Sequence, residues 1–140
     1  MTPATAIEAA DTFPWRSVGV WMVALLALSM AFNTYRAFAD PVGFATYLGL
    51  PLVEPRDIGM VHVYGLRAAF LGLFAAILIV RGDVETLKLY ALAALVMPIG
   101  DALLTYNAGA PTATVVRHVG YVVFLALTAF LLHRWSLRAS

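Results

Sequence analysis

Asp101 stands in VMPIGDALLTY, a carboxylate inside an apolar run long enough to cross a bilayer, and Arg67 and His118 interrupt similar runs, YGLRAAF and VVRHVGY. At the centre of a span an ionisable side chain costs roughly 2.5–3.5 kcal/mol on insertion scales, so such residues pair with one another and mark ligand sites or proton paths. A carboxylate, a guanidinium and an imidazole at one depth offer definite chemistry. Asp101 and His118 can exchange a proton as general acid and base, while Arg67 stabilises negative charge. The competing reading is structural, an ion pair that fixes the register of two helices, or a histidine bonded to a neighbouring helix.

The elements that must position these residues follow from composition. The chain has 140 residues, 62% of them hydrophobic and 12% charged, and its mean hydropathy is +0.86. A soluble domain is nearer a quarter charged, so lipid is the expected solvent for most of the surface. Four runs are long enough to cross hydrocarbon, which takes about 20 apolar residues: 17–35, 58–80, 87–107 and 113–132. Backbone groups in lipid must bond within their own segment, so each run is expected to be a helix. The short links RGDVET and AGAPT make spans two to four antiparallel neighbours. The expected fold is therefore an all-α, up-down four-helix membrane bundle of one domain over 17–133, with tails at 1–16 and 134–140. The long first connection contains FATYLGL, apolar enough for a short interfacial helix or a re-entrant turn.

Basic residues set the expected orientation. Arg16, Arg81, Lys88, Arg134 and Arg138 fall on the side of the termini, against Arg36 and Arg56 on the other. The positive-inside bias then places both termini in the cytoplasm, with Trp15, Trp21 and Trp135 near that face, and the bilayer reads as a bacterial inner membrane. The first fifteen residues, MTPATAIEAADTFPW, include Glu8 and Asp11 but no basic region, unlike a secretory signal. A net charge of +1 argues against a nucleic-acid partner. The chain has no cysteine, which excludes disulfides and thiolate metal sites. No phosphate loop, metal-binding helix motif, nucleophile elbow or dinucleotide fingerprint is present, and no metal site is expected.

Placing each polar residue by helix rise puts nearly all of them in one half of the bundle, the half away from the termini. Asn33 ends span one, and His62, Tyr64 and Arg67 enter with span two. Asp101, Tyr106 and Asn107 end span three, and Arg117, His118 and Tyr121 open span four. Concentration at one depth from four helices suggests a shared pocket, with Asp101 neutralised by Arg67 or by His118. Asn33, Tyr64, Tyr106 and Asn107 are candidate lining residues, although each is also ordinary at a helix end, where spare carbonyls need donors. His62 and His118 together could ligate a haem iron axially, but nothing else in the sequence supports haem, and the cofactor is left unassigned. Arg36 and Arg56 read as headgroup anchors. Pro98 should free the carbonyl of Ala94 and bend span three beside Asp101. In span two, Gly65, Ala68, Ala69, Gly72 and Ala76 form small-residue stripes suited to close helix packing, within the chain or in a homo-oligomer.

Tyr47-Leu48-Gly49-Leu50-Pro51, Tyr64-Gly65-Leu66-Arg67, Gly100-Asp101 and His118, in that order, resemble a set of small four-span bacterial and fungal membrane proteins of unknown function, broadly similar to DoxX-like four-helix proteins. The likeness covers most of the chain. It implies the four-helix fold and marks Arg67, Asp101 and His118 as a polar signature, without an activity. In that pattern an acid often follows the arginine, whereas Ala68 does so here.

The functional expectation is a pocket that binds a small lipophilic molecule with one polar group, with acid–base conversion by Asp101 and His118 as an extension. The alternative is a non-catalytic accessory subunit of a larger membrane complex. A proton-coupled transporter is a third reading, opposed by the bland apolar halves toward the termini, LFAAILIV and FLALTAFLL.

Overall fold

The computed structural model describes residues 17–139, with side chains through Leu137. The expected tail 1–16, with Trp15 and Arg16, lies outside the described residues, as does the side chain of Arg138. Among the described residues six α-helices follow one another: α1 Val18–Ala39, α2 Pro41–Leu48, α3 Ile58–Arg81, α4 Val84–Ala94, α5 Val96–Asn107 and α6 Thr112–Ala139. All but α2, together with the 3-10 turn Pro55–Asp57 before α3, make four apolar helical spans, Val18–Ala39, Pro55–Arg81, Val84–Asn107 and Thr112–Leu137, and the expected all-α bundle is what forms. Span one runs a turn beyond Tyr35, and α6 continues beyond Leu132 to Ala139. The outward faces carry large apolar side chains, such as Val80 at 81% and Leu28 at 69% exposure. That much contiguous apolar surface is stable against hydrocarbon rather than water.

The tightest pairing is α1 on α3, and the small residues explain it. A Cβ added at Gly72 would stand 3.1 Å from the Ala27 carbonyl oxygen, and one at Gly65 would stand 2.8 Å from Ala37 Cβ. Bare glycines at these two points let the backbones approach, and the Thr34 hydroxyl donates across the gap to the Gly65 carbonyl at 3.1 Å. The stripe therefore packs α3 against its own chain.

Span three is broken. Leu95 separates α4 from α5 three residues before Pro98, where the proline has no N–H for Ala94 and its ring crowds that carbonyl. Before the break, α4 packs on α3, α1 and α6; after it, α5 packs on α6. The half of span three that bears Asp101 thus leaves α3. Two buried clusters lie on either side of the resulting gap. One, at the end nearer the termini, centres on Val20, Val23, Leu78, Leu87 and Leu132; the other joins Ala37, Phe44, Ala45 and Val61.

The connection after span one does form a short helix. Asp40 caps α2 by accepting from the Gly43 N–H at 2.9 Å, and Gly49 ends it at φ +86°, a left-handed conformation that glycine adopts without penalty. Phe44 and Ala45 are buried, so α2 lies on the bundle end as part of its core.

At the opposite end Asp83 caps α4, accepting from the Thr86 N–H at 2.9 Å and the Thr86 hydroxyl at 2.7 Å. These two bonds hold its carboxyl below the ordinary aspartate range. A lowered folded-state value means that the cap stabilises the helix above the unfolded-state pKa and is lost as pH falls through the folded one. Hydrogen exchange at the Thr86 amide should accelerate, relative to mid-helix amides, as the solution is acidified through that range. In Asp83→Ala it should already be fast at neutral pH and lack this acid dependence.

Candidate functional site

The gap between the two clusters is a cavity of about 380 Å³. Its deep wall is apolar, with Leu26, Leu71, Ala94, Met97, Phe124 and Leu125, and its other end is polar, with Asn33, Tyr47, Tyr64, Asp101, Arg117, His118 and Tyr121. Pro98 and Ala94, the pair that breaks span three, both line it. Such a volume, with a largely apolar lining and a few convergent polar groups, suits a small-molecule site.

The polar end is built on the C-terminus of α2. The last carbonyls of a helix have no partner within the helix and carry its negative dipole end, and two basic side chains from α6 meet them. Arg117 Nη2 donates to the Tyr47 carbonyl, and His118 Nε2 lies 3.3 Å from the Leu48 carbonyl oxygen. A carbonyl can only accept, so this contact assigns the proton to Nε2 and leaves Nδ1 as an acceptor in the neutral ring. Nδ1 faces Asp101, whose Oδ2 lies 3.9 Å away. That is ion-pair range and beyond a direct hydrogen bond. The Asp101 side chain is about one-third exposed, while that of His118 is 4% exposed.

The Tyr47 ring is a second meeting point. The Arg117 Cζ lies 3.8 Å from its centroid and the Arg36 Cζ 4.3 Å, so two guanidiniums converge on one aromatic ring. The Tyr47 hydroxyl is 3.5 Å from that of Tyr121, at the outer limit of hydrogen bonding. Two buried polar atoms in this cluster, Arg117 Nε and His118 Nδ1, have no hydrogen-bond partner among the described residues.

Of the ten residues expected at a site, the structure brings six to this cavity: Asn33, Tyr64, Asp101, Arg117, His118 and Tyr121. The expected Arg67–Asp101 pair does not form. Arg67 is exposed on α3, one position before the buried Ala68, and is absent from the lining; His118 takes the place beside Asp101. His62 is half-buried and stacks on Phe38 with ring centroids 4.8 Å apart, away from the lining, so it does not face His118 across the cavity as an axial haem pair would. Tyr106, 71% exposed, and Asn107 lie on the surface near the end of α5. Arg56 is exposed and pairs with Glu54. Tyr47, Ser29 and Tyr90 line the cavity without having been expected there. Tyr90 is held by donating to the Leu71 carbonyl at 3.0 Å.

A family model described as a domain of unknown function, DUF4267, matches residues 27–132. No curated protein and no solved structure matches the chain.

Proposed function

This chain belongs to the DUF4267 family, and we propose that it is an intramembrane receptor for a small lipophilic molecule bearing one polar group. The carrying observation is the cavity itself, apolar along its depth and polar where Asp101, His118, Arg117 and the three tyrosines converge. A lipophile seats its apolar body between α1, α3 and α6 and presents its polar group to the α2 end. By the positive-inside reading, that end lies toward the outer leaflet of a bacterial inner membrane, within reach of molecules dissolved in lipid. The Asp101–His118 pair supplies a proton couple, so acid–base conversion of the bound molecule is the chemistry open to this site. The likeness to DoxX-like proteins extends the same four-span plan and rests on the order of its short motifs.

Mass spectrometry of small molecules retained by the purified protein tests the reading. Wild type should carry a lipophile, and Asp101→Ala should retain it at least about tenfold less well, the size expected for removing one charge from the Asp101–His118 couple. Empty spectra from both proteins, with a stable large assembly on native electrophoresis, would instead favour the accessory-subunit reading.

A further inference from the structure

The two unpartnered atoms at the polar end differ in kind, and the difference selects a ligand class. Arg117 Nε always carries a hydrogen and can only donate. His118 Nδ1, with the ring proton held on Nε2 toward Leu48, is in the neutral ring a bare acceptor. Both atoms are buried and without a hydrogen-bond partner among the described residues, and the His118 side chain is only 4% exposed. A buried polar group left unmatched costs about 1–3 kcal/mol, so the site favours a head group offering one acceptor and one donor together.

Building on the receptor reading, we infer that the ligand is a lipophilic carboxylic acid. Its carbonyl oxygen accepts from Arg117 Nε–H, and its hydroxyl donates to His118 Nδ1. The apolar body of such a molecule matches the Leu26, Leu71, Phe124 and Leu125 wall. An ester or ketone has no hydrogen for Nδ1, and an amine has no acceptor of comparable strength for the guanidinium.

The charges around the site agree. Arg36 and Arg117 both lie against Tyr47, and neither forms an ion pair among the described residues. Asp101 supplies one negative charge beside His118, so with the imidazole neutral the cluster is one positive charge in excess. The acid crosses lipid protonated and neutral. In the site its O–H bond breaks, the proton moves to His118 Nδ1, and the carboxylate remains on Arg117 Nε–H. The new imidazolium lies 3.9 Å from Asp101 Oδ2, which stabilises it. No electron is transferred, and the proton leaves with the acid when it dissociates.

The test compares three probes with one chain length, dodecanoic acid, methyl dodecanoate and dodecan-1-ol, by their effect on thermal unfolding of the full chain in neutral maltoside micelles. Ligands that bind the folded state raise the midpoint in proportion to affinity and concentration. The acid should bind at least tenfold more tightly than the ester or the alcohol, and Arg117→Gln should shrink that preference by weakening acid binding more than ester binding. Infrared spectra of carboxyl-labelled dodecanoic acid on the wild type should show the carboxylate band in place of the acid carbonyl band. These spectra and the wild-type acid-to-ester ratio decide the matter even if Arg117→Gln fails to fold. Equal binding of all three probes would overturn the carboxylic-acid assignment and leave the receptor reading standing. Binding of none would overturn both.

Discussion

Replacing Gly72 with leucine is expected to destabilise the folded protein by about 3 kcal/mol, the upper part of the usual range for overpacking. The reason is local. A Cβ at this position already stands 3.1 Å from both the Ala27 carbonyl oxygen and Met30 Cβ, and a backbone carbonyl cannot rotate away as a flexible side chain does. A leucine must push α1 off α3 along the most extensive helix contact in the bundle. Gly72→Ala should fall near 1 kcal/mol, since one methyl asks for a shift of a few tenths of an ångström. An unfolding titration in mixed micelles measures both. The loss should appear in the isolated chain, because the residues Gly72 meets are its own. A loss seen only as dissociation of an assembly would instead assign the stripe to a partner.

His118→Ala is expected to cost about 3 kcal/mol through a different mechanism. The imidazole meets the end of α2 at the Leu48 carbonyl and stands between that carbonyl and Asp101. Removing it deletes a buried ring and leaves the Leu48 carbonyl without its donor, and the two losses together reach this size. The part that involves Asp101 can be isolated with a double-mutant cycle. Because the resting imidazole is neutral, the cost of His118→Ala should be nearly the same in an Asp101→Asn background. A cost that falls by half there would show that His118 carries a charge that neutralises Asp101.

Depth along a helix was readable from sequence, and azimuth was not. Counting at 1.5 Å per residue puts Asn33, Tyr64, Asp101, Arg117, His118 and Tyr121 at one level, and these six line one cavity. The same count placed Arg67 there too, but successive residues turn by about 100° around a helix axis. Gly65, Ala68 and Gly72 define the buried face of α3, and Arg67 falls off it. The small-residue stripe already marked that face, and combining it with depth would have removed Arg67. Tyr47 was missed because it sits in a connection, where helical periodicity is short. The available signal was an apolar eight-residue helix, capped by Asp40 and Gly49, whose last carbonyls could receive Arg117 and His118. Pro98 could be read as a bend beside Asp101. That the bend opens a cavity depended on α5 following α6 and leaving α3, which is a tertiary outcome. Arg117 has as its partners a helix-end carbonyl and a tyrosine ring, neither of which its place in span four indicates.

The most direct measurement uses Gly120. This glycine lines the cavity on α6, and a Cβ added there meets nothing within 4 Å, so Gly120→Phe can place a ring at the cavity without displacing a packed neighbour. Exchanging a helical glycine for phenylalanine should leave stability unchanged or slightly raised. Mass spectrometry of retained small molecules should then show a lipophile on the wild type and none on Gly120→Phe, with both proteins equally folded. A Gly120→Phe protein that keeps the wild-type complement of bound molecules would place the ligand elsewhere and contradict the assignment of this cavity as the binding site.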